Sequence, residues 1–270
     1  MLKYFPKKQL STLIIVILLI SSCLIPKLEQ PRLDLGNDTT ILDNQTIKLN
    51  AGSFGRTYQW STGDTTSSIN VSQQGEFWVQ VKLENSEIIS DNIKINIAYR
   101  LAKITTSFGD ILLWLYPETP IHKEAFLELV NQHYFDNQSF NRVINNFVIQ
   151  GGCPDEIGGF TDTSLFIDGE FNANLKHIPG ALGGGRDENV AWKTNICQFY
   201  IVDKSAPNLT RLDGRYSIFG QVISGLDFVD SISNVATNKL DQPLEVQKFT
   251  IVEVNYTKSQ LLQKFDFQIE

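Results

Sequence analysis

Apolar residues recur at every second position in one short segment after another of this chain, and that period limits its fold more than any other feature. Ile47 and Leu49, then Phe77, Val79, Val81 and Leu83, then Ile93, Ile95 and Ile97 each set their apolar side chains on one face of an extended strand. Turn-forming residues separate the runs, at Ala51-Gly52, Ser61-Thr62-Gly63-Asp64 and Gln73-Gln74-Gly75. A chain patterned this way hides its apolar faces by packing sheet on sheet, so residues 34–98 are expected to form a small all-β sandwich. At 270 residues the sequence is long enough for a second core.

That second unit is expected over residues 101–257. Ala102-Lys103-Ile104-Thr105-Thr106 and Ile111-Leu112-Leu113-Trp114-Leu115-Tyr116 flank a turn at Phe108-Gly109-Asp110 and read as a hairpin. Thr119 as N-cap and Pro120 at the first helical position open a helix, on which Ala125, Phe126, Leu129 and Val130 share a face. His122 and His133 lie on or near it, eleven residues apart, and read as solvent-exposed polar positions rather than metal ligands. Strands follow at Phe147–Gln150, Gln198–Val202, Tyr216–Val222 and Phe249–Val254, with a second helix where Leu226, Val229 and Ile232 share a face. Residues 258–270 read as a polar tail free to fray.

The first residues carry an address. Lys3, Lys7 and Lys8 precede an apolar run from Leu10 to Ile20 that is too short to span a bilayer, as in a secretory signal over residues 1–22. Ile20-Ser21-Ser22-Cys23 resembles the bacterial lipobox, which implies cleavage before Cys23, acylation of its thiol and a cell-envelope location on the periplasmic or outer-membrane face. Residues 23–33, with Pro26 and Pro31, would then be a tether. In the sandwich region Tyr58-Gln59-Trp60-Ser61-Thr62-Gly63 and Gly75-Glu76-Phe77-Trp78-Val79 resemble the Ig-like modules of bacterial envelope proteins. Trp60 and Trp78 could stack on sugars if exposed, but their alternating neighbours favour a place in the core.

The stretch Phe140-Asn141-Arg142-Val143 leading into Phe147-Val148-Ile149-Gln150-Gly151-Gly152 is similar to the cyclophilin signature. The likeness continues in order through Gly109-Asp110-Ile111, Phe126–Val130, Gly180-Ala181-Leu182, Gln198-Phe199-Tyr200-Ile201 and Leu212–Gly220. It implies an all-β-dominated fold, a closed antiparallel β-barrel with two capping helices, and peptidyl-prolyl cis/trans isomerase activity with no cofactor and no metal. The residue types suit that chemistry. Rotation about an X-Pro amide must cross a barrier of about 18–20 kcal/mol without any bond being exchanged. A site that favours the twisted amide lowers it, and a guanidinium is a permanently charged, rigid fork of donors for the amide nitrogen or its carbonyl neighbour.

Carried over by position, Arg142 is the catalytic arginine and Gln150 its companion. Phe140, Phe147, Val148, Tyr200 and Leu212 would hold the proline ring, Gln198 would orient substrate or Arg142, and Gly185, Arg186 and Tyr216 would border the groove. The sequence departs from the family pattern at Asn141 and Tyr216, at Val148, at Arg211 where a tryptophan is familiar, and at Gly185-Arg186-Asp187. The loss of an indole at Arg211 should weaken cyclosporin-type binding, and a second charge at the groove could shift peptide preference.

Proline-containing polypeptides are the implied partners, with the membrane reached through Cys23. A formal net charge of −7 argues against nucleic acid. A cyclophilin-like module that binds peptides or adheres with little turnover is the alternative. A hydrolase finds no nucleophile, base and orienter, and Asp155 and Glu156 read as a solvated loop. Cys153 and Cys197 are expected to be buried free thiols, with a disulfide as the alternative.

Overall fold

The computed structural model describes residues 31–153, 165–186 and 192–269. Cys23, Asp155, Glu156 and Asp187 lie outside them. Along the chain run β1 (Thr39–Leu42), β2 (Ile47–Asn50), β3 (Thr57–Trp60), β4 (Ser68–Val71), β5 (Gly75–Lys82) and β6 (Ile88–Thr106). Then come β7 (Asp110–Leu115), α1 (Pro120–Asn131), β8 (Ser139–Ile144), β9 (Val148–Gly151), β10 (Phe166–Asp168), β11 (Ala181–Gly185) and β12 (Lys193–Val202). The chain ends in β13 (Ile218–Ser224), α2 (Leu226–Ser233), β14 (Gln247–Thr257) and α3 (Lys258–Phe265).

Two apolar cores form on either side of the passage at residues 98–101. The first gathers Leu49, Trp60, Val71, Phe77, Val79, Val81, Ile93 and Ile95, the alternating residues of β2 to β6. Trp60 is fully inside and its indole N–H donates to the Thr66 carbonyl at 2.8 Å. Trp78 does not share its place: one residue out of phase with Phe77 and Val79 on β5, it faces outward and is partly exposed. The larger core takes Ile104, Ile111, Leu113, Phe126, Phe135, Phe140, Phe199, Phe219 and Ile251. Around it pairing passes β6–β7–β13–β11–β12–β9–β8–β14, and β14 returns to β6.

β6 serves both cores. Its 19 residues run without a break, pairing with β5 and in parallel with β1 in one half, and with β7 and β14 in the other. The passage between the two units is therefore a hydrogen-bonded strand rather than a linker. A partly buried ion-pair cluster reinforces it. Asp43, just past β1, accepts from Arg100 Nε at 2.7 Å and from Lys123 Nζ of α1 at 2.6 Å, while Arg100 also grips Glu124.

Three sequence expectations change here. α1 starts at Pro120 as expected, but the Thr119 side chain does not cap it. Glu170 does so from 50 residues further on, accepting from the Ile121 and His122 amides at 3.1 and 2.8 Å, where a carboxylate also suits the helix dipole. His122 is buried rather than exposed, because Glu170 also takes its Nδ1 at 2.6 Å; His133 does lie at the surface. The end of the chain is no fraying tail but a third helix. Thr257 and Gln260 form a reciprocal capping box, and Leu261 of α3 is buried against Leu101, Leu112 and Trp114, with the Phe267 ring tilted against Trp114 at a centroid distance of 5.3 Å.

Cys153 and Cys197 form a disulfide with Cα atoms 5.2 Å apart, so the expectation of free thiols gives way. Gly152, at φ +118°, makes the approach possible, since a Cβ there would collide with the Cys197 carbonyl.

Candidate active site

β8 and β9 build the site through one irregularity. Their register pairs Phe140 with Gly151 but Arg142 with Gln150, so Asn141 is an extra residue on β8, a bulge. Residues two apart on a regular strand share a face, but the bulge turns Phe140 into the core and Arg142 outward. On β9 Ile149 points inward while Val148 and Gln150 point out, and on β12 Tyr200 lies outward beside them between the core residues Phe199 and Ile201.

On this outer face lies a hollow of about 330 Å³ lined by Arg142, Phe147, Val148, Gln150, Gly185, Arg186, Tyr200, Leu212 and Tyr216. These are nine of the eleven residues singled out by sequence for catalysis and substrate binding. Phe140 is not among them; it is 1% exposed and packs on Phe249 and Phe199 inside the core. Gln198 is also absent from the walls, lying buried under Gly185 and donating to Asn141 Oδ1 at 3.2 Å. It thus touches the bulge residue next to Arg142 rather than the hollow. Arg142 reaches Gln150 Oε1 at 3.5 Å and Asp241 Oδ2 at 3.7 Å, both long, so its donors remain open to the hollow.

Sequence reasoning missed the pair that fixes the far wall. His177 Nδ1 lies 2.7 Å from Asp213 Oδ1, and its Nε2 lies 2.8 Å from the Tyr200 hydroxyl. The carboxylate assigns the proton to Nδ1, which leaves Nε2 to accept from Tyr200. Burial lowers the His177 pKa despite Asp213, and burial raises that of Tyr200, so the chain stays neutral imidazole and neutral phenol. Tyr200 can lie flat on β11 only because Gly183 opposite it has no side chain to collide with the ring. Asp213 belongs to the loop that carries Leu212 and Tyr216, so the same contact holds that wall to the sheet. An isolated histidine before Pro179-Gly180 offers no periodicity or motif by which to find it. Among the described residues no three His, Cys, Asp or Glu side chains gather as a metal-binding group.

Residues 101–255 match the family model for cyclophilin type peptidyl-prolyl cis-trans isomerases. The chain belongs to the cyclophilin family. Over 162 residues it is 37% identical to peptidyl-prolyl cis-trans isomerase 9 of Schizosaccharomyces pombe, an alignment covering 58% of this chain and 26% of that protein. Over 170 residues it is 31% identical to a peptidyl-prolyl cis-trans isomerase of Acinetobacter baylyi, covering 60% of this chain and 90% of the relative. It therefore spans about a quarter of the length of the first relative and most of the second. The crystal structure of a Cryptosporidium parvum cyclophilin type isomerase, in the presence of the dipeptide Ala-Pro, superposes with TM-score 0.51 at 29% identity, covering 56% of this chain and 97% of that one.

Proposed function

We propose that this cyclophilin accelerates cis/trans exchange of X-Pro bonds in secreted or envelope polypeptides and so assists their folding. The observation that carries the reading is a guanidinium, Arg142, opening into a hollow whose other walls include Phe147, Val148, Tyr200 and Leu212. The apolar side chains take the proline ring. As the amide twists, its nitrogen becomes pyramidal and regains a lone pair, and Arg142 donates to that lone pair or to the adjoining carbonyl. Gln150 steadies Arg142 and orients the substrate backbone, and no proton need leave the protein.

The finer architecture belongs to the same proposal. The ring of eight paired strands is a closed barrel, and the unit around Trp60 is an Ig-like spacer. Cys23 is an acylated anchor that holds the chain in the cell envelope, a reading supported by the lipobox-like flank and by a disulfide, which persists in oxidising compartments.

The test is exchange in a proline peptide. Arg142→Ala should lower kcat/KM by about a hundredfold, as loss of a transition-state donor does, with an unchanged melting temperature. Equal rates for the two chains would remove Arg142 from the mechanism. Mass measurement of the first peptide, with and without Cys23→Ser, tests the anchor; an unmodified Cys23 in membrane-extracted protein overturns it.

A further inference from the structure

Four arginines crowd one groove in a chain of net charge −7. Arg142 is used by the isomerase mechanism, but Arg186, Arg211 and Arg215 are not. Those three, with Leu212 and Tyr216, line a second hollow of about 430 Å³. Arg186, Leu212 and Tyr216 are walls of both hollows, so the second continues the first.

Rings and a carbonyl hold two of these guanidiniums. Arg186 Cζ sits 4.8 Å over the centre of the Trp192 ring and 5.6 Å over that of Tyr216, and its Nη1 donates to the Arg215 carbonyl at 2.8 Å. Arg211 Cζ sits 5.3 Å over Phe147, a wall of the proline hollow. Arg186 Nε is buried with no hydrogen-bond partner. Among the described residues none of the three forms an ion pair, while Asp213 is engaged by His177 and Lys176, and Asp241 by Arg142. Like charges gathered with no counter-charge among the described residues repel one another, and an arriving carboxylate relieves that repulsion while matching the guanidinium fork.

We propose that this hollow is a carboxylate-binding subsite, so that preferred substrates carry Asp or Glu within about three residues of the proline, given roughly 3.3 Å per extended residue. The inference rests on the isomerase reading and narrows its substrate class. Peptides differing only by Glu, Gln or Lys at each of three positions on either side of the proline are assayed with the full chain. At low salt, Glu at one of these positions should raise kcat/KM about fivefold over Gln, and Lys should fall below Gln. The preference should shrink at high salt, and the Glu-to-Gln ratio should approach one in the Arg211→Gln, Arg215→Gln double variant, whose melting temperature reports its folding.

Equal kcat/KM for Glu and Gln peptides at every position overturns the subsite, as does a preference unchanged in the double variant. The Gln peptides keep the two readings apart, because a chain that accelerates them without discriminating loses the subsite alone. If no peptide is accelerated, titration decides: tighter binding of a Glu peptide than of its Gln counterpart supports the subsite, and equal affinity refutes it.

Discussion

His177 and His122 are held deprotonated by the fold, and stability should show it. Burial lowers both below the ordinary value of 6.5, against the pull of Asp213 and Glu170. On unfolding each returns to 6.5, so just below that pH the unfolded chain binds more protons than the folded one. Stability is then full above pH 6.5 and falls as the pH drops below it, with a slope of at most about 1.4 kcal/mol per unit for each histidine. Urea unfolding between pH 8 and 5 should show that decline, and His177→Gln should make it shallower. A flat profile over this range would mean that neither imidazole is held as described. The same residues mark what the sequence could and could not reveal. The motif led to Arg142, Gln150 and Tyr200 because those types recur in fixed order. Nothing local signalled that the Asn141 bulge would send Phe140 and Arg142 to opposite faces, or that Asp213 would reach His177 36 residues away.

At the scale of elements, period-two alternation made most strands legible, and Pro120 marked the start of α1. Long-range contacts were not legible: Glu170 capping α1, or α3 covering Trp114, depends on chain that returns from far away. Sequence reasoning missed the Thr257–Gln260 capping box, because it lies among polar residues that outweigh the sparse apolar stripe of Leu261 and Phe265. Asp43 is the sharpest test of how the elements join. Removing it leaves Arg100 and Lys123 buried, each about 7% exposed at the side chain, without that partner. Asp43→Ala should cost about 3 kcal/mol, read as a lower urea midpoint. A loss below 1 kcal/mol would show the cluster to be incidental. Likewise, opening the Cys153–Cys197 bridge, which closes a 44-residue separation, should cost about 4 kcal/mol by chain entropy, measured as the difference in unfolding free energy with and without reductant.

For the molecule as a whole, the shared β6 decides how it can be divided. A chain cut before Leu101 keeps the strand's pairing with β7 but loses Ala98, Tyr99 and Arg100, the partners of Thr257, Tyr256 and Asn255 on β14. Such a fragment should melt several degrees below the full chain, with α3 exchanging its amide hydrogens early. Equal melting curves would show the two units to be energetically separate.

The unbroken course of β6 also has a mechanical side. Its contour is about 60 Å, and rungs of one ladder after another are fastened along it. Tension between the Trp60 unit and the groove runs lengthwise down that strand, loading many bonds together instead of peeling them singly.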